Sequence, residues 1–256
     1  MEGPLRFESR KVKGECSTKK LGVIGGLGPF ATNYFFDLIL KMTEAGCDQE
    51  HLEMVIYNCP SIPDRTSHIL GKSSSSPVVP MLEIGSRLVS LNVDYIAIPC
   101  ITAHFYHSLL SQNIPVPIIN MISETALELK RSQVEIAGLL ATEGTVFSKI
   151  FQDELRLHGI QLVTPSKKGQ ETVNQLIYED IKAGLPINPE KFYQVSEELK
   201  KHGCQVNIIG CTELSLVKRD FTIGPGYLDA MEVLAAQSVL LCGGKLKSGY
   251  DSLITG

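Results

Sequence analysis

The chain has 256 residues, of which 43% are apolar and 20% are charged, and its formal net charge is −4. These values are typical of a globular protein with one large domain or two modest domains. They exclude a strongly basic nucleic-acid-binding protein, and no apolar run in the sequence is as long as a membrane span. We therefore expect neither a nucleic-acid partner nor a membrane association.

The cysteines and the N-terminus indicate a cytoplasmic protein. The sequence has seven cysteines at irregular spacings, which is not the pattern of a disulfide framework and favours a reducing compartment. The N-terminus lacks the apolar segment of a signal peptide. Residues 1–18 show no periodic pattern, and we expect them to form a flexible tail that precedes the fold.

The first half of the chain alternates short apolar runs with amphipathic segments, which is typical of a parallel α/β sheet. Pro29 suits the first turn of a helix, because the missing N–H has no partner to lose there. The predicted elements, in chain order, are a strand at 20–24, a helix from Pro29 to Met42, a strand at 52–57, a long polar loop at 58–76, a helix at 81–90, and strands at 95–98 and 116–119.

The same order then begins again. The predicted elements of the second half are a strand at 134–140 followed by a helix, a strand at 161–163, helices at about 170–183 and 190–202, a strand at 206–209, and a final helix at about 229–241. The sequence therefore predicts an α/β fold with two pseudo-symmetric, doubly wound parallel-sheet domains. We expect the first to comprise residues 19–122 with about 229–247, and the second residues 123–228.

Cys100 and Cys211 occupy matching places in the two halves. Each follows a β-branched apolar run, at the carboxyl end of a predicted buried strand, where open α/β sheets place their ligands. If the two units face each other, both thiols lie in one interdomain cleft. One thiol could then remove a proton from a carbon while the other supplies a proton to the opposite face. The alternative is that both are buried apolar cysteines.

Several motifs resemble those of the aspartate/glutamate racemase family and follow its order over about residues 20–235. They are Gly25-Gly26-Leu27-Gly28-Pro29, Pro63-Asp64-Arg65-Thr66, Pro99-Cys100-Ile101-Thr102-Ala103-His104, Ile177-Tyr178-Glu179-Asp180-Ile181-Lys182-Ala183-Gly184 and Gly210-Cys211-Thr212-Glu213. The resemblance implies a racemase that acts on aspartate and/or glutamate without a cofactor, with Cys100 and Cys211 as its acid and base. It also implies that the chain forms a homodimer.

The resemblance further implies roles for the polar residues of these motifs. Arg65 and Lys182 would hold substrate carboxylates, and a guanidinium can bind a carboxylate through two parallel hydrogen bonds. Thr102 and Thr212 would form hydrogen bonds near the reacting carbon. The remaining two expected site residues are Gly26, where the backbone can approach a small ligand, and Glu213, which would hold the second cysteine loop or pair with a base. The alternatives are a solvated Arg65 and helix-terminal roles for Lys182 and Glu213.

Ile101 departs from the family pattern, which usually has Asn between the first cysteine and its threonine. An aliphatic side chain offers a substrate no polar contact. Ile101 therefore favours a less polar amino acid as substrate, or an amino-acid-binding homologue with impaired catalysis. Hydantoin racemases, maleate isomerases and arylmalonate decarboxylases resemble the same fold, and their reactions remain alternatives.

Two cofactor hypotheses have weaker support. Gly26-Leu27-Gly28-Pro29-Phe30-Ala31 fits a dinucleotide-binding pattern, but Tyr57-Asn58 stand where the ribose-binding acid is expected. Cys100, His104 and His107 have a spacing that could place them on one helix face as zinc ligands, yet no fourth ligand is apparent. We therefore expect neither a cofactor nor a metal ion.

Overall fold

The computed structural model describes residues 19–256, and the predicted tail, residues 1–18, lies outside them. Short 3-10 helices occur at Asp48–Glu50 and at Ile101–Tyr106. The strands and α-helices of the first half are β1 (Leu21–Gly25), α1 (Pro29–Met42), β2 (Met54–Asn58), α2 (Arg65–Ile69), α3 (Val78–Ser90), β3 (Tyr95–Ala97), α4 (His107–Asn113) and α5 (Met121–Arg131).

The second half repeats the alternation of strands and helices. A π-helical turn at Leu176–Ile181 continues one of its helices. The strands and α-helices are β4 (Ile136–Ala141), α6 (Glu143–Ser148), α7 (Ile150–Leu157), β5 (Gln161–Val163), α8 (Lys167–Gln175), α9 (Pro189–Lys201), β6 (Val206–Gly210), α10 (Ser215–Asp220), β7 (Tyr227–Asp229) and α11 (Ala230–Leu241).

Two parallel sheets form the framework, and they share one strand order. The first sheet runs β2-β1-β3 and the second runs β5-β4-β6-β7, so the first strand of each half lies between the next two strands of that half, and β7 extends the second sheet beside β6. Every residue of β1 and of β6 is buried, which explains why their sequences are largely apolar rather than alternating, with Asn207 of β6 as the polar exception. The predicted fold, two α/β units with parallel sheets, is confirmed.

Helix α11 packs against α1 of the first half and against α5. One apolar core includes residues of both sheets and of α11, and a smaller core covers the opposite face of the first sheet. The division into domains at residues 122 and 228 stays a prediction. Within residues 19–256, every helix is too short or too polar to cross a bilayer.

The predicted strand at 116–119 is wrong. The segment makes only an isolated parallel bridge, between Ile96 and Ile118, through hydrogen bonds of 2.9 Å from Ile96 N–H to Pro117 and from Ile119 N–H to Ile96. Pro115 and Pro117 have no N–H to donate, so a regular ladder cannot extend along this segment.

Further elements also differ from the prediction, among them helix α5, which was not predicted. The polar loop at 58–76 contains the short helix α2, which begins because the Asp64 carboxylate accepts the Ser67 N–H at 2.8 Å. The single helix predicted at 170–183 is α8 followed by the π-helical turn, a form of helix that often occurs at functional sites. The three-residue strand β7 was not predicted.

Candidate active site

The fold brings the two motif cysteines to one cavity. Cys100 follows β3 and precedes the 3-10 helix, and Cys211 directly follows β6. Both side chains are buried and line a cavity of about 10 Å³, which has room for about one water molecule. Because both strands are parallel to their neighbours and end at this cavity, the thiols meet where the two sheets present their carboxyl edges.

A larger cavity of about 380 Å³ adjoins the first one. The two cavities share part of their lining, namely Leu27, Asp64, Arg65, Lys182 and Glu213. We call the space between the cysteines the inner cavity and the larger space the outer cavity. The outer cavity is large enough for a small ligand, and its remaining lining is mainly apolar: Gly26, Gly28, Pro29, Phe30, Pro60, Ile62 and Ile181.

The glycines after β1 are required by close contacts. Gly26 has φ +90°, and a Cβ there would stand 2.4 Å from the backbone of Cys59. The N–H of Gly26 donates to the Thr32 hydroxyl at 2.8 Å, so it serves the turn itself. A Cβ on Gly28 would stand 2.7 Å from Glu213 Oε1, so this glycine leaves space for the second cysteine loop.

Arg65 is buried and organises the cavity wall. Its guanidinium donates to the carbonyl oxygens of Ile62 at 3.3 Å, of Pro63 at 3.0 Å and of Leu27, while Nε has no hydrogen-bond partner. Burial acts to lower the pKa of Arg65, but the negative charge of Cys100 and of nearby carboxylates raises it above its ordinary value. The side chain therefore stays cationic, and most of its donors already serve the backbone.

Lys182 directly follows the π-helical turn and points toward two acids. Its Nζ lies 3.9 Å from Asp64 Oδ2 and 3.9 Å from Glu213 Oε1, beyond hydrogen-bond distance in both cases, and 4.5 Å from the centre of the Tyr178 ring. Burial acts to lower the pKa of Lys182, but Glu213 in particular raises it. Lys182 is therefore a charged ammonium whose donors lack a close acidic partner.

Glu213 sets the state of the second cysteine. The Cys211 thiol donates to Glu213 Oε2 at 3.1 Å, and the Thr212 hydroxyl lies 3.4 Å from the same oxygen. Burial and then the adjacent carboxylate raise the pKa of Cys211 well above its ordinary value, although Lys182 acts against them. At neutral pH Cys211 is therefore a thiol, which suits a proton donor.

Thr102 lies between the two halves rather than free in the cavity. Its hydroxyl is 3.0 Å from that of Thr142 and 3.0 Å from that of Thr145, and the latter two are 3.1 Å apart. Sequence reasoning missed Thr142, Asp64 and Tyr178 as cavity residues. Thr142 could have been found, because it stands just after β4 and caps the next helix.

The two histidines of the zinc hypothesis contact backbone carbonyls. His104 Nδ1 lies 3.0 Å from the carbonyl oxygen of Cys100, and His107 Nε2 lies 3.0 Å from that of Ile118. Burial lowers the pKa of His104 to about 4, so this ring is neutral at physiological pH. Among residues 19–256, no three His, Cys, Asp or Glu side chains form a group suited to a metal ion.

Comparisons with known proteins identify the family of this chain. A family profile described as Asp/Glu/hydantoin racemase matches residues 24–238. The broad-specificity amino-acid racemase RacX of Bacillus subtilis (strain 168) is 29% identical over 224 residues, which cover 86% of this chain and 96% of RacX.

Solved structures show the same fold. The Picrophilus torridus aspartate racemase superposes with a TM-score of 0.78 at 31% identity, covering 91% of this chain and 97% of that one. Glutamate racemase from Francisella tularensis, in complex with D-glutamate, superposes with a TM-score of 0.63 at 12% identity, over 88% and 81% of the two chains. The chain therefore belongs to the Asp/Glu/hydantoin racemase family and is an amino-acid racemase, an isomerase.

Proposed function

We propose that the chain interconverts the L and D forms of aspartate and/or glutamate by proton transfer between Cys100 and Cys211, without a cofactor. The observation that carries this proposal is that two buried thiols, one from each half, line a single cavity at the carboxyl ends of β3 and β6. Two groups at a carbon can act on opposite faces, which is what inversion at that carbon requires.

The chemistry needs one thiolate and one thiol. The thiolate removes the α-proton, the C–H electron pair moves into the α-carboxylate as an enolate, and the opposite thiol delivers its proton to the other face of the carbon. The product has inverted configuration, and the two sulfurs have exchanged protonation states. Cys211, which the pKa shift keeps protonated, supplies the proton, and Cys100 acts as the base in that direction.

Positive charge in the same wall would stabilise the enolate. Lys182 lines both cavities and lacks a close acidic partner, which supports its role as the anchor of the α-carboxylate. Arg65 also lines both cavities, but its donors to Leu27, Ile62 and Pro63 support a second role in shaping the wall. Thr102 and Thr212 hold the loops of the two cysteines through their hydroxyl contacts.

The inner cavity is smaller than an amino acid, so binding requires it to widen. The outer cavity of about 380 Å³ supplies the adjoining space, because the two cavities share part of their lining. We infer that the substrate enters there, with its α-carbon directed to the thiols and its side chain left in the outer cavity. The expected homodimer stays a prediction.

A less polar substrate is the second candidate. Apolar side chains, including Leu27, Phe30 and Ile62, form much of the outer cavity, and Ile101 lines the inner one. RacX of Bacillus subtilis, which resembles this chain over most of its length, is described as a broad-specificity racemase. These observations favour amino acids with uncharged side chains beside, or instead of, the dicarboxylic ones.

The proposal is tested by α-proton exchange in heavy water. The purified chain is incubated with L- and D-aspartate, L- and D-glutamate and a set of neutral amino acids, and proton NMR and optical rotation are followed together. A double variant, C100A/C211A, is the control for exchange that does not involve the thiols.

We expect the α-proton signal of both enantiomers of at least one amino acid to disappear while optical rotation decays to zero. The double variant should show neither change. Retention of every α-proton by the wild-type chain would sink the proposal and favour a protein that only binds amino acids. Exchange that survives in the double variant would exclude the two thiols as its acid and base.

A further inference from the structure

Of the two carboxylate oxygens of Glu213, one accepts a hydrogen bond and the other accepts none. Oε2 accepts the Cys211 thiol at 3.1 Å, whereas Oε1 accepts no hydrogen bond although the side chain is only 6% exposed. A buried carboxylate oxygen without a donor is costly, and such atoms are uncommon in folded proteins. Lys182 does not supply the donor, because its Nζ stays 3.9 Å away. Oε1 is therefore available to a donor that comes from outside the chain.

The surroundings of Oε1 leave room for that donor. Glu213 lines both cavities, so its carboxylate borders the space through which we infer that substrate enters. The space on the side of Gly28 is open only because that residue has no Cβ, which would otherwise stand 2.7 Å from Oε1. A small cationic group could thus reach Oε1 from the outer cavity.

We propose that Glu213 Oε1 binds the α-ammonium group of the substrate amino acid. The inference rests on the proposed function and assigns one group of the substrate to one atom of the site. Lys182 and Glu213 carry opposite charges at 3.9 Å, a separation at which neither satisfies the other. An amino acid carries the complementary pair of charges on one carbon, so its carboxylate can face Lys182 while its ammonium faces Glu213.

This arrangement recognises what all α-amino acids share and places no demand on the side chain. It therefore accounts for a site that has a charged inner end and a largely apolar outer cavity. Asp64 is the other carboxylate near Lys182, also at 3.9 Å, but it already accepts the Ser67 N–H and caps α2. Asp64 is therefore the matched control for Glu213.

The experiment compares amino acids with the same molecules lacking the amino group. Dissociation constants are measured by calorimetry for L-aspartate against succinate, for L-glutamate against glutarate, and for L-leucine against 4-methylpentanoate. The measured quantity is the preference, the ratio of the two constants in each pair. The chains are the wild type, Glu213→Gln and Asp64→Asn, each checked for its melting temperature.

For any pair whose amino acid undergoes exchange, we expect the wild type to prefer the amino acid by about tenfold or more, as for a hydrogen bond to a charged group. Glu213→Gln should lose most of this preference, because amino-acid binding weakens while binding of the deaminated acid stays the same or tightens. Asp64→Asn should keep the preference. A purely structural role for Glu213 would instead weaken both members of a pair alike.

An unchanged preference in Glu213→Gln would overturn the inference while leaving the proposed function intact, since α-proton exchange is scored separately. A wild-type chain that shows no exchange with any amino acid would overturn both. If Glu213→Gln does not fold, Glu213→Asp withdraws the carboxylate by one methylene. That variant should bind the amino acid several-fold more weakly and bind the deaminated acid with unchanged affinity. Equal losses of affinity for both molecules would contradict the assignment.

Discussion

The two cysteine loops occupy equivalent places in the two halves, yet their neighbours carry opposite charge. Cys100 lies near the guanidinium of Arg65, a cation. Cys211 donates to the carboxylate of Glu213, and burial and then this carboxylate raise the pKa of the thiol. The repeated fold therefore supplies two similar positions with different charged neighbours, and burial beside a carboxylate keeps the second one a thiol.

The sharpest way to break this comparison is to remove one thiol at a time. We expect Cys100→Ala and Cys211→Ala each to lower the rate of racemisation at least about 10³-fold, because each removes one of two proton-transfer groups. In heavy water each variant should still exchange the α-proton of one enantiomer, and the two variants should act on opposite enantiomers. Proton NMR of the separate L and D substrates measures this.

Two outcomes of this experiment would contradict the proposed mechanism. Exchange from the same enantiomer in both variants would mean that the thiols do not lie on opposite faces of the carbon. Racemisation at a wild-type rate in either variant would exclude the two-thiol scheme. Cys204 is a buried cysteine that lines neither cavity, so Cys204→Ala serves as the matched control. It should change neither the rate of racemisation nor the rate of α-proton exchange.

Substituting Arg65 and substituting Lys182, the two cations of the cavity wall, should lower the unfolding free energy by different amounts. Arg65 donates to three backbone carbonyls, so Arg65→Met leaves those acceptors buried without a donor, and we expect a loss of about 3 kcal/mol or more in unfolding free energy. Lys182 has no acidic partner closer than 3.9 Å, so Lys182→Met should cost less than about 1 kcal/mol.

Both variants should lose activity, so stability is the deciding measurement. Urea unfolding gives the free energies, and α-proton exchange gives the activity. Equal destabilisation by the two substitutions would show that Arg65 is not the organising residue of the wall. Full activity in Lys182→Met would remove Lys182 from the substrate-binding site.

Much of this architecture could be predicted from the pattern of apolar residues along the chain. The buried strands and most of the long helices gave clear signals, although α5 was not predicted, and the strand-end positions of Cys100 and Cys211 followed from parallel topology. What could not be predicted depends on contacts between distant segments. The hydrogen bond from Arg65 to the carbonyl of Leu27 joins segments 38 residues apart, and the threonine cluster around Thr102 forms only when the two halves meet. The free oxygen of Glu213 likewise depends on the folded surroundings of its side chain. Lys182 was located, but the π-helical turn that precedes it was not.

The loops also differ in what anchors them behind the cavity. His104 contacts the carbonyl oxygen of Cys100 in the first half, and burial lowers its pKa to about 4. In the second half, Asp229 accepts the Ser215 hydroxyl at 2.8 Å and the Met231 N–H at 2.9 Å. Burial, and then the nearby Glu232, raises the pKa of Asp229 to about 7. One anchor thus disfavours positive charge and the other disfavours negative charge.

These shifts predict opposite dependences of stability on pH. His104 has its ordinary pKa of 6.5 when unfolded, so its contribution is complete above pH 6.5 and is lost as pH falls toward about 4. Asp229 has its ordinary pKa of 3.8 when unfolded, so its contribution is complete below pH 3.8 and is lost as pH rises toward about 7. Between about pH 4 and 6.5 the two effects cancel.

Removing either anchor should therefore expose the other. In Asp229→Asn we expect the unfolding free energy to rise with pH between about pH 4 and 6.5, by up to about 1.4 kcal/mol per pH unit. In His104→Gln it should fall with pH over the same range, by a similar amount. Urea unfolding at half-unit pH steps measures both slopes, with the wild type as reference because common titrations cancel in the difference. Parallel profiles for the two variants would show that the loops are not anchored by groups of opposite electrostatic preference. The asymmetry between the halves would then be confined to the residues beside the two thiols.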